Sequence, residues 1–424
     1  MGGTGVTARA HVHDHDSGEG LIPLEQAQAR MLGRVEPLPP QRRLLHEAHG
    51  CVTVSNVASP IDLPSFPSSA MDGYAIRAAD VAGAAPDRPV PLRIAGRVRM
   101  GRPPEGPVGP GEAAAIATGG PIPDGADCVM PIEACVVEDQ RVLVLQDSPP
   151  GTYVRPAGED LRAGEVLVPA GRRVMAPELG LMAAAGIAEV EVRPRVRVLV
   201  VSTGDELVPP GEPAEYGRVH DANAFTLYGQ IREAGGLPHA AGIVPDDPVA
   251  LMGAIVPNLE RVDAIVSSGG VSVGERDPVK AAFGGRGEVE FLEVAMQPGK
   301  PQAFGVVEGR PFFGLPGNPV SVFVSFEVFV RPALLKMMGR RDRRPEVEAT
   351  LETDVSGPRG KAQFARVRVR REGDRWLAAS TGGRRSNLLA TVARANGLAV
   401  VPVGVETLRA GETCRVVLFR EEEP

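Results

Sequence analysis

Four acidic residues, Asp205, Glu206, Asp246 and Asp277, each stand shortly beyond an apolar run of this chain. In a parallel sheet such positions gather at one edge, the carboxyl ends of the strands, where α/β proteins bind ligands. The stretch VDAIVSSGGVSVGERDPVK, 262–280, carries a loop of Ser267, Ser268, Gly269, Gly270, Ser272 and Gly274. It ends in Asp277-Pro278, an N-cap acceptor followed by proline at the first helical position. Strand, glycine loop and helix start present backbone N–H groups and a positive dipole end to an anion such as phosphate. The loop matches neither the P-loop nor the dinucleotide fingerprint, and its glycines would equally serve a turn. Carboxylates beside an anion loop repel it unless a divalent cation lies between. Mg²⁺, which takes one or two carboxylates plus phosphate oxygens, resolves that conflict. Asp246 and Asp277 also read as plain helix caps.

The basic residues are more ambiguous. Lys300 follows Pro298-Gly299, a turn that would present its ammonium near the sheet's edge. Arg366, Arg368 and Arg370 alternate along one strand, and Arg384-Arg385-Ser386 follows Gly382-Gly383. Such arginines either grip phosphate or cover an exposed face. Met71-Asp72-Gly73-Tyr74-Ala75 and Ala117-Thr118-Gly119-Gly120-Pro121 join a carboxylate and a hydroxyl to tight turns. No Ser-His-Asp, Cys-His or zinc spacing is present, and His220 and His239 read as structural.

The elements that must position these groups divide the 424 residues into several domains. Residues 1–20 read as a disordered tail, in which His11, His13 and His15 alternate with Asp14 and Asp16 as a solvated segment or a weak metal site. A helical period runs through Leu24, Ala27, Met31 and Val35. Prolines at 60, 64, 67, 86, 91, 103, 104, 107 and 110 then forbid long helices, and 91–98, 113–117, 128–132 and 141–145 read as strands. A strand at 165–168 and a helix at 177–185, ended by Gly186, would pair with the first helix across the inserted β module. From Arg195, strands alternate with helices: 195–201, a helix capped by Asn223, 240–244, a helix opened by Asp246-Asp247-Pro248, 262–266, and strands at 290–295, 302–307 and 311–315. LPGNP leads into a long helix at 320–335 with Asn318 as its N-cap. This is an open, mainly parallel α/β sheet whose ligand loops are STGDEL, SSGGVSVGERD and LPGNP. GRRDRRP reads as a linker to a small all-β domain with strands at 347–354, 364–370, 376–379, 398–401 and 413–418.

Composition narrows the function. A net charge of −7 and 4% aromatic residues argue against broad nucleic-acid binding. The four cysteines have no CxxC pair and read as reduced thiols. No apolar signal core opens the sequence and no charge-free run is long enough to cross a bilayer, so cytoplasm is the default location.

Taken together, SSAMDGYA, ATGGPIPDGADCVMPIE, STGDEL, SSGGVSVGERD, MQPGKP and LPGNPVS resemble the molybdopterin molybdotransferase family, to which the E domain of gephyrin is related. The resemblance covers residues 21–419 in the same order. It implies a multidomain α/β plus β protomer that forms a homodimer. Its parts are a discontinuous α+β domain (21–59 and 158–193), an inserted β-rich domain (60–157), an α/β molybdopterin-binding domain (194–338) and a C-terminal β-barrel (339–424). The family's active site lies between the α/β domain of one protomer and the β-rich domain of the other. The activity implied is cleavage of adenylyl-molybdopterin with insertion of molybdate and release of AMP, Mg²⁺ being the metal. Other cofactor-biosynthesis proteins and molybdoenzyme acceptors are the implied partners.

Residue by residue, the resemblance marks Asp277, Glu206, Asp72 and Thr118 as catalytic, with Glu206 and Asp277 holding the metal. It marks Ser268, Gly269, Gly270, Ser272, Gly274, Asp246, Lys300, Pro316, Asn318, Arg155, Asp160, Arg366 and Ser386 as substrate-binding. Two departures stand out. Relatives often carry lysine where this chain has Gln297, and some carry lysine near Glu293. The oxyanion pocket is then less positive here, or an arginine from elsewhere substitutes. The rival readings are the adenylyltransferase that prepares this substrate, against which the β-rich and barrel domains speak, and a gephyrin-like scaffold, which has no need of carboxylates around an anion loop.

Overall fold

The computed structural model of the chain describes residues 20–271, 278–283, 289–383 and 385–420. The histidine-bearing tail, Ser272, Gly274, Asp277 and Arg384 lie outside the described residues. The chain forms two compact units, Pro40–Val192 and the remainder.

In the 40–192 unit, proline and glycine punctuation leaves only short strands. Six of them form a mixed sheet in the order 128–131, 73–76, 112–116, 90–97, 141–144, 135–138. Strand Val90–Arg97 alternates half-buried or buried with exposed residues, the period of a strand with one wet face. Ile76, Leu92, Met130, Val142 and Val144 fill its core. A second core gathers Cys51, Leu167, Val174, Met182 and Val192 around helix Ala176–Ala184, which ends ahead of Gly186 at φ 76°.

In the other unit, four strands run parallel in the order Leu237–Val244, Arg197–Thr203, Ala264–Ser268, Arg310–Leu315. Pro301–Val307 and Val289–Glu293 extend the sheet antiparallel. The reversal has a local cause. Glu308 and Gly309, at φ 46° and 77°, form a two-residue connection with positive φ at both positions, which suits a tight hairpin. One face of the sheet packs Val198, Val200, Phe304 and Phe313 against Phe326 and Phe329, with Ala27 and Met31 of helix Leu24–Gly33 in the same core. The other face packs Leu199, Ile265 and Phe312 against Leu251, Ile255 and Phe283.

The helix expected to run unbroken over 320–335 is Pro319–Ser325, a π turn at Phe326–Val330, then Arg331–Met337. Pro332 has no N–H to give to the preceding turn, and a widened turn before it accommodates the loss. The GRRDRRP segment is pinned. Arg344 reaches both oxygens of Glu327 at 3.0 Å and Glu233 at 2.9 Å. Beyond it, Glu346–Leu351, Arg375–Ser380, Ala362–Glu372, Gly397–Val401 and Thr413–Leu418 pair in a closed ring, a five-stranded barrel. Its interior is apolar, with Leu351, Val367, Val369, Val401 and Val416. Among the described residues no helix is long and apolar enough to cross a membrane.

Candidate active site

The carboxyl ends of the four parallel strands converge as the loop positions require. They enclose a cavity of about 430 Å³ whose walls include Glu206, Asp246, Ser268, Gly269, Gly270, Pro316 and Asn318. Two positions in it must be glycine. Gly269 and Gly270 have φ of 89° and 67°, and a Cβ on Gly269 would stand 2.5 Å from the Thr203 carbonyl oxygen. The N–H of Gly269 donates to the Leu315 carbonyl at 3.0 Å, so it braces the loop and is not one of the anion-facing amides.

The acids are sorted by their caps. Asp247 caps helix Pro248–Ile255, its side chain accepting from Ala250 N at 2.7 Å. That leaves the Asp246 carboxyl free of a capping role. Burial first, then Asp205 and Glu206, push its pKa up. Asn223, expected as an N-cap, is instead the first residue of helix Asn223–Ala234. Asp221 Oδ1 accepts from Ala224 N at 3.1 Å, and Asn223 Nδ2 donates to the Gly317 carbonyl at 2.8 Å, tying the helix to the LPGNP loop. Asn223 and Thr203 both line the cavity, and the sequence reading passed over them as site residues. Thr203 stood inside the STGDEL motif, which was the available signal.

A second cavity of about 480 Å³ adjoins the first, sharing Pro301, Pro316 and Asn318, and adds Gln297, Arg385 and Ser386. Lys300 lines neither; its ammonium is 3.1 Å from Glu293, on the neighbouring strand. Of the alternating arginines, Arg368 and Arg370 are exposed, but Arg366 is 2% exposed. It donates through Nε to Thr391 Oγ1 at 3.1 Å and through Nη2 to the Gly383 carbonyl. Arg366 thus holds the turn beside Ser386, and it lines a small separate cavity of about 260 Å³.

In the 40–192 unit, Asp72 Oδ1 accepts from the Thr118 backbone N–H at 2.7 Å and its hydroxyl at 2.8 Å. These bonds hold the carboxyl below the usual aspartate range. Asp72 lines a cavity of about 360 Å³ with Tyr74 and Arg97. Arg155 and Asp160 are exposed on the same unit, and Arg155 pairs with Ser68 in a two-residue ladder. Among the described residues no group of three or more His, Cys, Asp or Glu is arranged to hold a metal.

An open α/β sheet with an acidic, glycine-walled cavity at its strand ends, fused to a five-stranded barrel, defines a multidomain small-molecule-binding protein. Three matches make this particular. Residues 22–186 match the MoeA N-terminal region (domain I and II), 199–336 a probable molybdopterin binding domain, and 348–419 the MoeA C-terminal region (domain IV). Molybdopterin molybdenumtransferase 2 of Mycobacterium tuberculosis is 43% identical over 380 residues, 88% of this chain and 93% of its own. The molybdopterin molybdenumtransferase of Haemophilus influenzae is 33% identical over 406 residues, 94% and 99% of the two chains. The crystal structure of a molybdopterin biosynthesis MoeA protein from Pyrococcus horikoshii superposes with a TM-score of 0.77 at 34% identity, over 95% of this chain and 100% of that one. The chain belongs to the MoeA family.

Proposed function

We infer that this chain is a molybdopterin molybdenumtransferase, an enzyme of molybdenum-cofactor biosynthesis. The observation that carries the reading is the cavity at the strand ends, walled by Glu206, Asp246 and glycine backbone, inside the region matched to a molybdopterin-binding domain. In its finer form, adenylyl-molybdopterin and molybdate are the substrates, AMP and molybdenum cofactor the products. The chain acts as a cytoplasmic homodimer, serving molybdoenzymes and other cofactor-biosynthesis proteins. Its domains are 21–59 with 158–193, 60–157, 194–338 and 339–424.

The donor set suits Mg²⁺. Burial, and after it the nearby Asp205 and Glu206 carboxyls, raise the Asp246 pKa, and a dication would offset the repulsion among these acids. Glu206 and Asp277 would hold it, and the ion would neutralise charge on the phosphates. The chain's own residues do the rest. The Gly269–Gly270 backbone, without side chains, lets the ligand approach the strand ends. Asp246, its basicity raised by burial and by its acidic neighbours, takes the proton of the attacking water. Water adds to the adenylyl phosphorus, the P–O bond to the pterin phosphate breaks, and AMP leaves. Asp72 and Thr118 are proposed as catalytic residues; Lys300, Arg155, Asp160 and Ser386 as substrate-binding, with Arg366 positioning the Ser386 turn.

Incubating the purified chain with adenylyl-molybdopterin, molybdate and Mg²⁺ tests the reading. AMP release, together with restored molybdoenzyme activity in an extract lacking the insertase, is the expected result. Accumulation of adenylyl-molybdopterin from molybdopterin and ATP would instead identify the adenylyltransferase.

A further inference from the structure

Two side chains in the main cavity's wall carry polar atoms that the described residues leave unsatisfied. Thr203 ends strand Arg197–Thr203, is 4% exposed, and its Oγ1 has no hydrogen-bond partner among the described residues. Asn223 is 8% exposed; its Nδ2 donates to the Gly317 carbonyl, and its Oδ1 has no donor among the described residues. Buried polar atoms without partners are rare and costly, so a pair of them in one cavity wall calls for an explanation. Thr203 is also the residue that Gly269 and Gly270 make room for, since added Cβ atoms there would stand 2.9 and 3.0 Å from its Oγ1.

The rest of the wall says what completes the pair. Glu206, Asp246 and Asn318 add oxygen acceptors, and among the described residues no lysine or arginine lines this cavity. An edge rich in N–H groups is well matched to these acceptors, while phosphates would meet the carboxylates only through a cation. The bond from Nδ2 to the Gly317 carbonyl fixes which way the Asn223 amide is turned and leaves its oxygen as a free acceptor at the cavity wall. A threonine hydroxyl rotates to suit either role.

We propose that Thr203 and Asn223 are specificity-determining residues that accept hydrogen bonds from N–H groups on the heterocycle of the bound substrate. This rests on the functional reading above, whose substrate offers two such heterocycles, a pterin and an adenine. The pair reads the heterocycle, and the neighbouring cavity with Arg385 is left for other parts of the ligand.

Thr203→Val keeps the shape and removes the hydroxyl; Thr203→Ser restores it. Calorimetric titrations with 6-hydroxymethylpterin and, separately, with AMP compare both variants with the parent. Because the hydroxyl has no partner among the described residues, the valine variant melts at the parent's temperature or higher without ligand. Its Kd for one of the two heterocycles weakens about tenfold, the serine variant recovers it, and Asn223→Ala weakens the same ligand. Which ligand responds identifies the heterocycle. A parent that binds a heterocycle which the valine variant binds equally well overturns this inference alone. A parent that binds neither ligand removes the functional reading, and this inference with it.

Discussion

Asp246 and Asp205 hang from different strands, yet the Asp246 backbone N–H donates to Asp205 Oδ1 at 3.2 Å. The contact ties two strand-end loops together and brings the Asp246 carboxyl into the field of Asp205 and Glu206. Its pKa is raised, so the folded state resists ionising it. The associated stability loss is absent below the ordinary aspartate pKa and develops as pH rises through the raised value. Asp246→Asn therefore melts at or above the parent's temperature at pH 7, and the difference closes by about pH 3. Calorimetry at both pH values decides, and a difference that is the same at pH 7 and pH 3 would contradict the raised pKa.

The Asp72–Thr118 pair has the opposite sign. Hydrogen bonds from Thr118 depress the Asp72 pKa, so their stabilisation is present above the ordinary aspartate value and lost as pH falls through the depressed one. Thr118→Val removes the hydroxyl bond and leaves the backbone one. The Asp72 carboxyl, followed by NMR, should then titrate closer to the ordinary value, with AMP release reduced several-fold. An unmoved titration would show that the hydroxyl does not tune this carboxyl.

Gly269→Ala and Gly270→Ala should not be equivalent. At Gly269 the added carbon meets a backbone oxygen at 2.5 Å; at Gly270 its nearest contacts are side-chain atoms at 3.0 Å. Both also carry positive φ. Gly269→Ala is expected to cost about 1–3 kcal/mol in denaturant unfolding, and Gly270→Ala less. The reverse order would mean that the loop differs in solution.

Arg344 holds a Glu327 side chain that is only 5% exposed. Among the described residues, Arg344→Ala leaves that carboxylate only Gln230 at 3.2 Å and Arg331 at 3.9 Å and should cost about 1–3 kcal/mol, whereas replacing both partners with methionine should recover much of it. Urea unfolding of the single and double variants measures the coupling. A single variant as stable as the parent would show that the pinned linker contributes nothing.

Much of the architecture was legible. Apolar runs followed by acid- or glycine-bearing loops placed Glu206, Asp246, Gly269, Gly270, Pro316 and Asn318 in one cavity, because parallel strands share an edge. What escaped depended on tertiary partners. Asn223 looked like a cap because its type caps helices, but a competing acid two residues earlier took that job. Alternation put Arg366 with Arg368 and Arg370, and barrel closure buried the first alone. The contact of Lys300 with Glu293, seven residues back, also escaped, because that proximity comes from strand pairing. Pairing of the last two strands also reverses, through a two-residue turn whose positive φ at Glu308 no residue preference announces.

The most direct measurement is single-turnover release of AMP from adenylyl-molybdopterin, with Mg²⁺ present, by the parent chain and by Glu206→Gln. A folded variant that releases AMP about a hundredfold more slowly, as loss of an electrostatic site group does, is the predicted result. Release at the parent's rate would place the chemistry somewhere other than the rim of this sheet.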